Sequence, residues 1–231
     1  MRNRKRTNRG GAVIEFALIC PFWVALLLGT MWIGTAMVKG LQVQQAARDL
    51  ASMFSRSVDF SSASGTSNEM LTDITQQLGT VTATGNGVVI FSTLTYVGNS
   101  VCAAAGSSYG VAGNGTPSDT GSHTGSCTNY GKFVFTQQYT QGNTSLRGSN
   151  WGSPLAADLD SSNSYRIDSA VTYVTHSGDA TNPAFTLIPS PKEDGTDGYQ
   201  SGQPVSVVEV FFNTGAKAGY ITGANYAYAI F

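Results

Sequence analysis

One carboxylate stands alone in this sequence. Glu15 is the only charged residue between Ala12 and Val38, a run of 27 residues. A carboxylate inside a bilayer costs up to about 3 kcal/mol at the centre and less near the surface, so it usually has a partner or a task. The alternative is that Glu15 reaches back to the interface beside Arg9. Two further residues could react with each other. Cys102 and Cys127 bracket most of Gly98–Gly131, a stretch made almost wholly of Gly, Ser, Thr, Ala and Asn, which cannot build a core. The third cysteine, Cys20, lies in the apolar run and reads as a small apolar side chain.

Other reactive patterns are missing. His123 and His176 stand in polar, loop-like contexts without a full set of Cys and His ligands at metal spacing. No Gly-x-Ser-x-Gly string stands in the strand–turn–helix context of a nucleophile elbow, and there is no phosphate loop. Asp158, Asp160 and the run Glu193–Gly198 carry oxygens that calcium could use, but the twelve-residue ligand pattern is incomplete and a solvated turn is the simpler reading. Asn114-Gly115-Thr116 and Asn143-Thr144-Ser145 match the glycosylation sequon, a match expected by chance. With no nucleophile paired to a base, a membrane-tethered hydrolase is disfavoured, and no enzyme activity, cofactor, metal or small-molecule substrate is expected.

The elements that must position these residues follow from hydropathy and charge. At about 1.5 Å per residue, a helix over Ala12–Val38 is about 40 Å long, more than the roughly 30 Å of a hydrocarbon core. It is too long for the roughly 7–15-residue core of a cleaved secretory signal. Five of the thirteen cations, Arg2, Arg4, Lys5, Arg6 and Arg9, precede it, which keeps the N-terminus in the cytoplasm and places everything after Lys39 outside. Beyond Val38, eight cations face thirteen acids, a balance that does not suit nucleic acid as a partner. Within the apolar run, Pro21 frees the Ala17 carbonyl and allows a kink. Ala25 with Gly29, and Thr30 with Gly34, are small pairs that allow close helix packing.

Past the membrane, Val43, Ala47, Leu50, Phe54 and Val58 recur at three- and four-residue spacing. This stripe is expected to cover the domain's own sheet, with packing against other subunits as the alternative. Residues 61–68 read as a break. Met70, Leu71, Ile74 and Leu78 predict a short helix ending at Gly79. Five β-rich stretches follow: Val88–Val97, Lys132–Thr140, Arg166–Thr175, Val205–Asn213 and Tyr220–Phe231. The expected class is α+β, with a long N-terminal transmembrane helix continuing into an amphipathic stalk. The stalk packs on an antiparallel sheet with a long Gly/Ser-rich loop. The expected divisions are a basic cytoplasmic leader (1–10), a transmembrane helix (11–39), a stalk helix (40–60) and an extracytoplasmic domain (61–231, with the loop at 98–131).

The stretch from Arg9 to Pro21, Arg-Gly-Gly-Ala-Val-Ile-Glu-Phe-Ala-Leu-Ile-Cys-Pro, resembles the N-terminus of the TadE-like family. These are minor pilins, or pseudopilins, of tight-adherence (Tad/Flp) pili, within the type IV pilus class. The segment Leu41–Ala51, with Gln44, Gln45, Ala46, Ala47 and Arg48, is similar to the family's following helix, and Val205–Phe212 is similar to its late strand. TadG-like proteins begin similarly but usually carry a much longer domain. The resemblance implies a cut between Gly10 and Gly11 by a membrane prepilin peptidase, with Glu15 as the fifth mature residue. The freed ammonium would offer Glu15 a cationic partner, strong where water is excluded. It further implies other pilins and assembly-platform proteins as partners, in or from the inner membrane. The competing reading is an uncleaved, membrane-anchored envelope protein or adhesin.

External placement also predicts a disulfide between Cys102 and Cys127, worth about 3 kcal/mol by loop entropy and favoured in an oxidising compartment. Mass spectrometry without reductant should find the two peptides linked. Free, alkylatable thiols at both positions would refute the pairing.

Overall fold

The computed structural model describes residues 9–62, 64–97, 133–154, 202–216 and 222–231. The expected strand at Arg166–Thr175, the Gly/Ser-rich loop, both of its cysteines, both histidines and the acidic run Glu193–Gly198 lie outside these residues. The chain divides into two compact units, one ending at Leu41 and the other spanning Gln42–Phe231.

Helix α1 runs Arg9–Ser55, so both units draw on it. Leu, Ala, Met and Gln dominate its middle and end, residues that lose little rotamer freedom in a helix. The helix stops where Ser57 turns to φ 65, and the reversed chain returns Val58 and Phe60 to the core. The stalk periodicity therefore ends as helix at Ser55, while Val58 still packs as the pattern expected. Helix α2, Thr66–Thr75, follows, with Leu71 and Thr75 as its buried face. The turn after it reaches Gly79, whose φ of 158 and contact with the Asn86 side chain leave no room for a Cβ.

Four strands, β1 (Gly87–Tyr96), β2 (Phe133–Gly142), β3 (Pro204–Ala216) and β4 (Thr222–Ile230), form one antiparallel sheet in the order β2-β1-β3-β4. Four of the five β-rich stretches of the sequence are thus strands. Side chains alternate between two faces. On one face Val89, Phe91, Val208, Val210, Phe212, Ala227 and Ala229 meet Val43, Ala46, Ala47, Leu50 and Ala51 of α1. Three of these helical contacts are alanines, which let the helix backbone approach the sheet closely. Phe60 stacks on Phe91 at 4.4 Å and 4° to close that layer. The stripe over 43–54 therefore covers the domain's own sheet.

The opposite face is also buried, around Leu94, Tyr96, Phe133, Phe135, Trp151, Val205 and Val207. A bulge at Thr136 lets β2 serve both layers. Thr93 pairs with Gln137 and Leu94 with Phe135, so Thr136 is the extra residue, and its hydroxyl donates to the Thr93 carbonyl at 3.1 Å. Before the bulge, β2 sends Phe133 and Phe135 to the second face. After it, Tyr139 joins the helical layer, where Gln141 donates to the Phe60 carbonyl at 2.8 Å. Burial on both faces explains why β1 and β3 read as nearly continuous apolar runs.

Candidate functional site

In the first unit, α1 carries an apolar surface that nothing else described in that unit covers. Ile14, Phe16, Leu18, Phe22, Trp23 and Leu26 are 64% exposed or more, and the large apolar residues remain exposed up to Leu41. By length and composition this is the one helix among the described residues able to cross a membrane. Its polar side chains are mostly self-satisfied. The hydroxyls of Thr30 and Thr35 donate to the carbonyls of Leu27 and Trp32 at 3.0 and 2.9 Å, which lowers the cost of placing them in lipid. Gly29, Gly34 and Gly40 would meet nothing if they carried a Cβ, so packing within the chain does not require glycine there. Cys20 holds a free thiol.

Glu15 is exposed on this surface, with no hydrogen-bond or ion-pair partner among the described residues. Gly10 and Gly11 lie in helical backbone, within the first described turn of α1. The candidate processing bond and the lone carboxylate are thus brought together on one element, four residues apart. Cys102 and Cys127 lie outside the described residues.

The second unit holds a carboxylate to which the sequence analysis gave no role. Glu209 sits in the middle of β3, between Ile90 of β1 and Tyr228 of β4, and is 2% exposed. Its side chain lies on the sheet face turned away from α1. Three donors converge on it. The Asn150 amide and the Tyr226 hydroxyl each donate to Oε1 at 2.8 Å, and the Ser149 hydroxyl donates to Oε2. Ser149 Oγ in turn accepts from the Trp151 amide at 3.0 Å. The Arg147 guanidinium lies 4.3 Å from the Tyr226 ring centre and 5.5 Å from that of Phe211, and donates to Asn150 Oδ1 at 2.6 Å. Trp151 is buried beside this knot, with Tyr228 edge-on at 5.3 Å.

The segment 147–154 is therefore a strap laid over the second face and tied to β3 by one acid. Gln138 adds a second tie, donating to the Gly152 carbonyl at 3.1 Å and to Ser92 Oγ at 3.2 Å. The turn before the strap uses Asn143. Its Nδ2 donates to the Gly85 carbonyl at 2.9 Å, and its Oδ1 accepts from the backbone and hydroxyl of Ser145. The nitrogen that glycosylation would need at this sequon is already engaged in holding the fold. The sequence signal for the knot was a single Glu inside Val205–Phe212, a stretch otherwise apolar but for Ser206. Its partners on the strap, Ser149 and Asn150, lie more than fifty residues upstream and had no pattern of their own.

Burial pushes the Glu209 carboxyl above its ordinary value of 4.5, against the opposing pull of Ser149, Asn150, Tyr226 and the Arg147 charge. Burial first, and the Glu209 charge second, drive the Tyr226 hydroxyl well above its usual range. With both oxygens committed to donors, the carboxylate is arranged to hold a loop. Among the described residues no three of His, Cys, Asp and Glu gather as metal ligands would.

Residues 10–52 match the family model described as TadE-like protein, the family that the N-terminal motif resembles. The match ends three residues before the end of α1 and includes none of the strands. No curated protein and no solved structure matches the chain.

The knot predicts a pH dependence of defined sign. A carboxyl whose folded pKa is raised binds more protons in the native state than in the unfolded one. Its contribution to stability is present below about 4.5 and is lost as pH rises through the raised value. Glu209→Gln should remove that slope. It should also destabilise the unit by about 1–3 kcal/mol, because the new NH2 group faces donors. Urea unfolding of the full chain in detergent, from pH 4 to pH 8, measures both. A slope unchanged by the substitution would show that Glu209 does not titrate in this window.

Proposed function

We propose that this chain is a TadE-like minor pilin: a structural subunit, not an enzyme, that is cut by prepilin peptidase and incorporated into, or primes assembly of, a Tad-type pilus. The observation that carries this reading is the bare apolar surface of α1 from Ile14 to Leu41, interrupted by one carboxylate, within the segment that matches the TadE-like model. An apolar helix left bare among the described residues needs lipid, other helices, or first one and then the other. A single-pass subunit that leaves the membrane for a filament uses both environments.

The remaining parts of the reading follow from charge. The basic residues before Gly10 hold the N-terminus in the cytoplasm, so the sheet domain lies on the outer side of the inner membrane. Hydrolysis between Gly10 and Gly11 removes the basic leader and leaves an ammonium on Gly11, four residues from Glu15. In a desolvated interface between helices, Glu15 pairs with that terminus on its own or a neighbouring subunit and sets their register. The partners are prepilin peptidase, other pilins and the assembly platform.

Two measurements test this. N-terminal sequencing of the membrane-extracted protein, from cells with active prepilin peptidase, should begin at Gly11. An intact Met1 terminus would instead favour an anchored envelope protein or adhesin. Glu15→Gln should leave the sheet domain folded and lower co-purification with other pilins by about tenfold or more, the scale expected for a desolvated pair. Parent-like assembly of Glu15→Gln would mean that the carboxylate is only solvated at the interface.

A further inference from the structure

The peptide proposed for cleavage is held in a conformation a protease cannot use. Arg9, the first described residue, is already helical, and α1 continues without a break through Gly10, Gly11 and beyond. In an α-helix the Gly10 carbonyl accepts from the Ile14 amide and the Gly11 carbonyl from the Glu15 amide. Hydrolysis requires water to add to the Gly10 carbonyl carbon. The C–N bond then breaks with its electron pair going to the Gly11 nitrogen, which takes up protons, leaving a carboxylate on Gly10 and an ammonium on Gly11. Access to that carbon means releasing its carbonyl from Ile14 and extending the backbone around it.

The composition of this turn, at the end of α1, favours its opening. Gly10 and Gly11 each favour the helix less than alanine by about 1 kcal/mol, and the β-branched Val13 and Ile14 follow. Leu26-Leu27-Leu28, further along, are strong helix formers. The two glycines thus keep this turn close to unfolding at the end of the helix.

We propose that the Gly10–Ile14 turn is a built-in opening device: processing occurs through a locally unwound form of α1, and the stability of that turn sets the cleavage rate. This rests on the processing reading above. When opening and closing are fast relative to cleavage, the rate follows the population of the open form. Helix propensity at a position inside the turn but outside the scissile bond then tunes the rate.

The test uses the full-length chain in membranes with active prepilin peptidase, following leader loss by gel shift over time. Val13→Gly should be cut faster than the parent and Val13→Ala more slowly, with about a fivefold spread between the two variants. Leu27→Gly, which weakens the helix far from the cut, should be processed at the parent rate. Equal rates for both Val13 variants, slowing by both, or an equal acceleration by Leu27→Gly would overturn the opening device while leaving processing intact. A parent chain that is not cut at all would overturn processing itself, and the device with it.

Discussion

The contact between the last turns of α1 and one face of the sheet is what the second unit is organised around. Val43, Ala46, Ala47, Leu50 and Ala51 meet Phe91, Val208, Val210 and Phe212, all of them buried. A sheet of four strands with one bare apolar face would not be stable in water, and the helix supplies the missing layer. The alanines matter because they set the distance: larger side chains would lift the helix, with its own Phe54, from Phe91 and the Phe60 stacked on it. Once that layer is fixed, the bulge at Thr136 and the closely packed turn at Gly79 are the adjustments that fit β1 and β2 to it.

The other face solves a different problem. It is covered in part by the irregular segment 147–154, and an irregular segment cannot satisfy its backbone groups by a ladder. A buried acid answers this by accepting from the Asn150 amide while gathering the hydroxyls of Ser149 and Tyr226. The carboxylate loses solvation in the process, and the nearby Arg147 charge, itself packed over Tyr226 and Phe211, offsets part of that loss. A hydrophobic residue at 209 would pack as well against Ile90 but would leave the strap's donors without an acceptor.

Much of this was legible in the amino-acid order, and the reasons differ by element. The apolar run with its basic flank declared a membrane helix because bilayer thickness sets a length that few soluble helices imitate. Val43, Ala47, Leu50 and Phe54 declared the core-facing stripe because helical period survives in any surroundings. The strands β1, β2, β3 and β4 were readable from β-branched and aromatic density, although burial on both faces erased the alternation that would have assigned their faces. The knot was not readable. Glu209 and its partners Ser149 and Asn150 are about sixty residues apart, and only register and the path of the strap bring them together. Nor could sequence show that the Gly10–Gly11 peptide is helical, since two adjacent glycines argue locally against it.

The strand order has a consequence for how the chain is made. β1 lies between β2 and β3, and β3 lies between β1 and β4, so the sheet is finished by the final residues. Phe231 itself exchanges two backbone hydrogen bonds with Ser206. During synthesis the helix and β1 are made first, yet the central partner of β1 arrives more than a hundred residues later. Until β3 is made, the stripe on α1 faces an unfinished sheet and one long edge of β1 has no mate. Such a chain is slow to close and prone to pair wrongly with its neighbours. Closure of the sheet therefore waits on β3 and β4, and a chain cut short of them leaves the stripe on α1 without most of its cover.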